Sequence, residues 1–217
     1  MRGLITKDFL LIFKRKQTLI IFAVLALVMG FAMDGTFIIG YLTMLTAIVS
    51  ISTISYDEFE NGFSFLMTLP VSRKTYVIEK YLFCSFMGFA GWCVSVVIYM
   101  IGKLIKQIPV GLIDELPMLF AILPVMLVFT SAIISLQLKF GVEKSRIAIF
   151  AIYGGMALVV FLASKLLSKS SIDVSELVTG LNALSPALVL MLFLILWLAV
   201  TAVSYLISVK IMEKKEF

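Results

Sequence analysis

Apolar residues fall in six long runs, at 17–33, 36–56, 81–102, 117–138, 147–167 and 186–209, separated by short polar clusters. A helix needs about 20 mostly apolar residues to cross a bilayer. Each run is close to that length. Open strands would leave unpaired backbone groups in lipid, so the runs cannot be strands. The pattern therefore predicts an all-α membrane protein with six transmembrane helices. Only Asp34 and Gly35 separate the first two runs, which forces an antiparallel hairpin. The first run reads as a retained span, because another follows at once. Lys165 lies near the end of the fifth and must snorkel to the interface. No period of 20–50 residues recurs. A single membrane domain over 1–217 is expected, with no soluble domain. The segment 168–185 fits a short interfacial or re-entrant helix as well as it fits a plain loop.

Composition agrees with this reading. The chain is 62% hydrophobic and 14% charged, against about 45–50% and 25% in soluble domains. Too little polar surface is present to cover a globule in water. The net charge of +5 raises the question of nucleic acid, but the basic residues sit at the ends of the apolar runs. Fourteen of the eighteen Lys and Arg fall on the side that holds both termini. The other side has Lys103, Lys106, Lys165 and Lys169. The positive-inside rule then places both termini in the cytoplasm, and no nucleic acid partner is expected.

The absent chemistry is informative. There is no histidine, which removes the commonest general base and the commonest metal ligand. No GxxxxGK[ST] loop or HExxH is present. The Ser164-Lys165 and Lys144-Ser145 pairs are adjacent and diverge on a helix. Cys84 and Cys93 are separated by roughly 13 Å along one helix, too far to bridge. No catalytic residue and no metal site is expected. No charge lies near the middle of any run, which argues against an ion-coupled carrier. Hydroxyl residues cluster in the second and fourth runs. Ser50, Thr53, Thr130 and Ser131 are candidates to line a mildly polar pathway; the plainer reading is helix–helix packing.

Two flanking segments look functional. Met1 to Lys16 has Ile5, Phe9, Ile12 and Phe13 on one side and Lys7 and Lys14 roughly opposite, with Asp8 and Leu10 blurring the pattern. This predicts an amphipathic helix in the inner interface, with its basic residues toward anionic lipid. The segment 57–80 lies in water yet carries an apolar face of Phe59, Phe63, Leu66 and Met67. Asp57, Glu60, Asn61 and Ser64 lie opposite. An aromatic face on so short a helix needs something to pack against, so the segment reads as a docking element. Gly62 weakens the helix. Pro70 ends it, and Ser72 is placed to cap the next helix through Arg73 to Lys80.

The whole plan resembles the permease subunits of ABC-2-type ATP-binding-cassette exporters. The resemblance rests on the basic N-terminus MRGLITKDFLLIFKRK, on six spans with both ends inside, and on the loop YDEFENGFSFLMTLPVSRKTYVIEKYL. Only the loop is specific. Its phrase E-x-x-x-G…L-x-T-L-P-V-S-R…Y-V-x-x-K is similar to short bacterial permeases, some of which export antimicrobial or cytolytic peptides, including phenol-soluble modulins. The resemblance implies a cytosolic ATPase dimer encoded separately, which would carry ATP and Mg. This chain would then be non-catalytic and hold no cofactor. It also implies a second permease chain, identical or similar, and a bacterial cytoplasmic membrane. Finally, it implies that the helix containing Glu58, Phe59, Glu60 and Phe63 is a coupling helix seated in the ATPase, with the N-terminal helix as a second contact. The expected docking and coupling set is Asp57, Glu58, Phe59, Glu60, Phe63, Leu66, Pro70 and Arg73. The expected activity is ATP-driven extrusion of an amphipathic peptide, antimicrobial or hydrophobic compound. The second span would line the path, with the fifth as a further candidate. A carrier or channel independent of ATP, and a membrane scaffold or sensor subunit, are the alternative readings.

Overall fold

A computed structural model describes residues 1–14, 16–32, 35–59, 62–107, 112–167 and 186–215. Among them are seven helices and no strand: α1 Arg2–Lys14, α2 Lys16–Ala32, α3 Gly35–Glu58, α4 Gly62–Thr68, α5 Arg73–Ile105, α6 Leu112–Leu167 and α7 Pro186–Lys214. Four stretches are long and apolar enough to cross a membrane: Phe37–Glu58, Arg73–Ile105, Leu119–Ser145 and Leu194–Lys214. They coincide with the second, third, fourth and sixth expected spans. The first expected span corresponds to α2, a helix of 17 residues. The fifth forms the last part of α6, whose side chains beyond Phe150 lie outside the described residues. So do Asp34 and the segment 168–185.

Helix α3 is the hub. It packs on α5 and α6, and α6 packs on α7. Glycines let these helices approach. A Cβ at Gly91 of α5 would fall inside the Thr46 side chain of α3, and one at Gly88 would meet Met126 of α6. Small residues at crossings are how membrane helices gain contact, since lipid is as apolar as their own side chains. Thr46 keeps its hydroxyl on its own helix, bonded to the carbonyls of Leu42 (3.0 Å) and Thr43 (2.9 Å).

Polar ties complete the bundle. The Tyr81 hydroxyl of α5 lies 2.7 Å from Ser204 Oγ and 3.0 Å from Ser208 Oγ of α7, and 3.2 Å from Ser135 Oγ of α6. Ser204 donates to the Ser131 carbonyl at 2.7 Å. Three helices thus share one buried hydroxyl knot. At the end of α5 remote from the termini, Tyr99 donates to Glu115 at 2.8 Å, and Lys103 pairs with the same carboxylate. The hydrogen bond from Lys103, and then that from Tyr99, holds the Glu115 carboxyl below its ordinary value. Trp92 Nε1 donates to the Leu119 carbonyl at 2.8 Å.

The apolar runs that end at 138 and begin at 147 predict a loop over 139–146. Helix instead continues through this region, apart from Gly141 at φ 75°, ψ 172°. One residue in a conformation open to glycine redirects the chain, and α6 resumes at once.

Gly91→Leu should destabilise the bundle by about 1–3 kcal/mol, as overpacking at a tight crossing does. Unfolding in detergent micelles checks this. Gly3→Ala, where an added Cβ meets nothing within 4 Å, should not destabilise.

Candidate functional site

The end of the bundle that carries both termini gathers the 57–80 segment, α1, the Gly141 break and the end of α7. Helix α4 is built to turn back. A Cβ at Gly62 would lie 2.7 Å from the Asp57 carbonyl oxygen, so this close reversal requires glycine. The helix predicted over this segment is divided between the end of the long α3 and the short α4. Asp57 and Glu58 finish α3, and Phe63 and Leu66 belong to α4. After α4 the chain bends at Leu69 and Pro70. Ser72 then caps α5 by accepting from Thr75 N at 3.1 Å.

This geometry divides the expected apolar face. Phe63 and Leu66 are buried in the core with Tyr76, Leu138 and Met212. The Phe63 ring meets Tyr76 edge-on at 5.6 Å, and Lys215 Nζ lies over it at 4.8 Å. Lys215 also donates to the Leu138 carbonyl at 3.3 Å. Phe59 and Phe65 remain exposed, at 71% and 68%, and Leu69 is exposed as well. Phe63 and Leu66 therefore seat α4 on its own chain, and the outward apolar surface is Phe59, Phe65 and Leu69. Arg73 Nη1 donates to the carbonyls of Met212 (3.1 Å) and Glu213. It thereby satisfies C-terminal groups of α7 that have no partner within the helix. Pro70 is exposed at the bend. Glu60 lies outside the described residues.

Beneath α4 lies a buried ionic network that sequence reading missed. Lys80 of α5 and Asp8 of α1 are both fully buried and paired. Lys80 also meets Asp57 Oδ2 at 2.8 Å and donates to Thr53 Oγ1 at 3.1 Å. Asp57 pairs with Lys7 and accepts from Tyr76 Oη at 2.8 Å. Asp8 accepts from Thr53 at 3.1 Å and lies 3.2 Å from Lys7. Glu79 is buried 4.0 Å from the Lys80 ammonium, and neither of its oxygens has a hydrogen-bond partner among the described residues. Asp57 was expected on the water-facing side of a loop helix. It is instead 4% exposed, because α3 extends to Glu58 and carries it inward. Asp8 seemed to blur the α1 pattern, yet Leu4, Asp8 and Ile12 form the buried stripe. An i, i+4, i+8 spacing that included Asp8 was the available signal, set against a Lys80 eight residues past the Ser72 cap.

Glu58 makes a second carboxylate contact. Its Oε2 accepts from Val142 N at 2.7 Å, at the start of the second limb of α6. Negative charge is favourable at a helix N-terminus. A Cβ at Gly141 would run into this carboxylate. The end of α3 and the break in α6 enclose a cleft of 890 Å³ lined by Ser52, Ser55, Tyr56, Phe59, Phe140 and Lys144, among others.

Ser50, Thr53, Thr130 and Ser131 are not on this cleft. All four are buried. Their hydroxyls bond to the carbonyls of Ala47, Ser50, Leu127 and Val128 on their own helices. They present no open face to a pathway within this chain. Burial satisfied by the backbone is the packing arrangement of hydroxyl residues.

Lys80→Met leaves Asp8 and Asp57 buried with one cation fewer. It should destabilise by about 3–5 kcal/mol. Asp8→Asn in the Lys80→Met background should recover part of this. A double-mutant cycle on unfolding in micelles measures the coupling.

A family model for ABC-2 family transporter proteins matches residues 3–213. No curated protein and no solved structure gives a significant match. The family match runs from the first turn of α1 to the last turn of α7, taking in α4, the ionic network and the Gly141 break. The chain belongs to the ABC-2 family of transporter proteins, multi-pass membrane proteins that act as permease subunits of ABC transporters.

Proposed function

We propose that this chain is the permease subunit of an ATP-driven exporter in a bacterial cytoplasmic membrane. It crosses the membrane six times as one domain, and both termini are cytoplasmic. Two such chains, identical or similar, pair with a cytosolic ATPase dimer. ATP and Mg are held there; this chain is not an enzyme and carries no cofactor. The observation that carries the reading is the division of the apolar residues in and just before α4. Phe63 and Leu66 lock the helix to its own bundle, while Phe59 and Phe65 stand exposed on the side where the positive-inside rule puts cytosol. Large exposed apolar groups in water mark a docking surface.

Closure of the ATPase pair on ATP then moves α4. Pro70 and the Ser72 cap lead the push into α5. At about 50 Å this helix exceeds the ~30 Å hydrocarbon layer, leaving a stiff cytoplasmic extension. Glu58 hands the same motion to the second limb of α6. The cleft between α3 and that limb combines aromatic rings with Ser52, Ser55 and Lys144. Such a lining suits an amphipathic substrate. An amphipathic peptide, an antimicrobial or a hydrophobic compound is the proposed cargo, as in the peptide exporters that the loop sequence resembles.

Three measurements check this. Phe59→Ser with Phe65→Ser should lower co-purification of the cognate ATPase at least tenfold while the chain stays folded; unchanged association rejects α4 docking. In proteoliposomes, flux should require the ATPase and ATP. Gradient-driven flux from the chain alone would favour a carrier, and ATPase binding without flux a scaffold. Cysteines at Ser64 and Asp114, in a background lacking Cys93, should be labelled from opposite sides of the membrane.

A further inference from the structure

Between α2, α3 and α5 lies a cavity of 290 Å³, lined by Ile12, Ala23, Leu27, Leu42, Thr46 and Val94 among others. We propose that it is a binding site for one acyl chain of an anionic phospholipid, whose headgroup rests on Lys14 and Lys16.

The lining selects an alkyl chain. Thr46 is its single polar residue, and the Thr46 hydroxyl is already bonded to the Leu42 and Thr43 carbonyls. Water needs two to four polar partners and finds none. On α5 the cavity runs from Met87 to Ile98, about 16 Å at 1.5 Å per residue. This is near half of the ~30 Å hydrocarbon thickness, the depth of one leaflet. Ala23 and Ala26 of α2 explain the gap: their small side chains leave the space between α2 and its neighbours unfilled. Leu27 and Val94 are 47% and 53% exposed, so the cavity opens at the surface of the bundle, and a chain can enter without unfolding it.

The charge selects the headgroup. Lys14 ends α1 and Lys16 begins α2, and both are exposed. Neither makes an ion pair among the described residues, whereas Lys7, Lys74, Lys80 and Lys103 do. Phe22, part of the cavity lining, is six residues past Lys16, about 9 Å along the axis. The headgroup band is about 5–7 Å thick on each side of the bilayer. An ammonium at that height meets a lipid phosphate while the chain below reaches the cavity. Anionic lipid is favoured over zwitterionic lipid by about fivefold per nearby cation.

The test needs no ATPase, so its failure leaves the α4 reading untouched. The full chain is reconstituted in phosphatidylcholine vesicles containing a minority of phosphatidylglycerol, then extracted in mild detergent. Lipid retained on the protein is counted by native mass spectrometry. One phosphatidylglycerol per chain is expected to survive. Val94→Trp and Leu27→Trp, both at exposed positions, should reduce retention at least fivefold without changing the thermal midpoint. Lys14→Gln with Lys16→Gln should lower the preference for phosphatidylglycerol by about 30-fold while leaving the cavity intact. Equal retention of the two lipids by the unmodified chain overturns the proposal. So does retention unaffected by both tryptophans, which means annular lipid only.

Discussion

The Lys80 ammonium is the constraint on which the half of the bundle that carries both termini depends. It is fully buried, and an isolated ammonium there would cost several kcal/mol or more. Two carboxylates and a hydroxyl surround it, and each comes from a different turn of chain: Asp8 from α1, Asp57 from the last turn of α3 and Thr53 one turn earlier. None of these positions can be vacated alone. The network therefore fixes where α1 lies, how far α3 extends and which way the first turns of α5 face. Ionic groups buried in this way add little net stability compared with an apolar core, but misregistration is penalised heavily. Sliding α1 by one residue would withdraw Asp8 and leave Lys80 short of a partner.

Glycine and carboxylate work together at two further points. Gly62 lets the chain fold back against the Asp57 carbonyl, and Gly141 lets the Glu58 carboxylate reach Val142 N. Asp57 and Glu58 are adjacent, yet they serve different partners on opposite sides of α3. One faces α1 and α5; the other faces the second limb of α6. The last turn of α3 is thus a junction in which two neighbouring acids hold two separate parts of the bundle.

The sequence made part of this legible. The apolar runs predicted helices, and α3, α5 and α7 follow them closely. The Ser72 cap and the bend at Pro70 follow from local chemistry, so they could be read without tertiary knowledge. The ionic network could not. Asp8 and Lys80 lie 72 positions apart, and each looks ordinary alone: one as a blemish in an amphipathic stripe, the other as a topology charge. The break at Gly141 was hidden for the same reason, since the partner that stabilises it is Glu58, 84 positions away from Val142. The division of Phe59 from Phe63 arises from the reversal at Gly62, which helical periodicity across 57–69 does not reveal.

That division bears on how force would travel. A coupling element must be loose enough for a partner to engage and fixed enough to pass motion on. If the segment couples as proposed, the two needs would fall on different aromatic residues. Phe59 and Phe65 offer surface, whereas Phe63 sits under Lys215 and against Tyr76. Behind Phe63, the core cluster joins Tyr76 of α5, Leu138 of α6 and Met212 of α7, and Arg73 ties the start of α5 to the end of α7. Packed interiors resist compression. If α4 is loaded as proposed, the load would reach α6 and α7 through this packing as well as α5 through the link at Pro70.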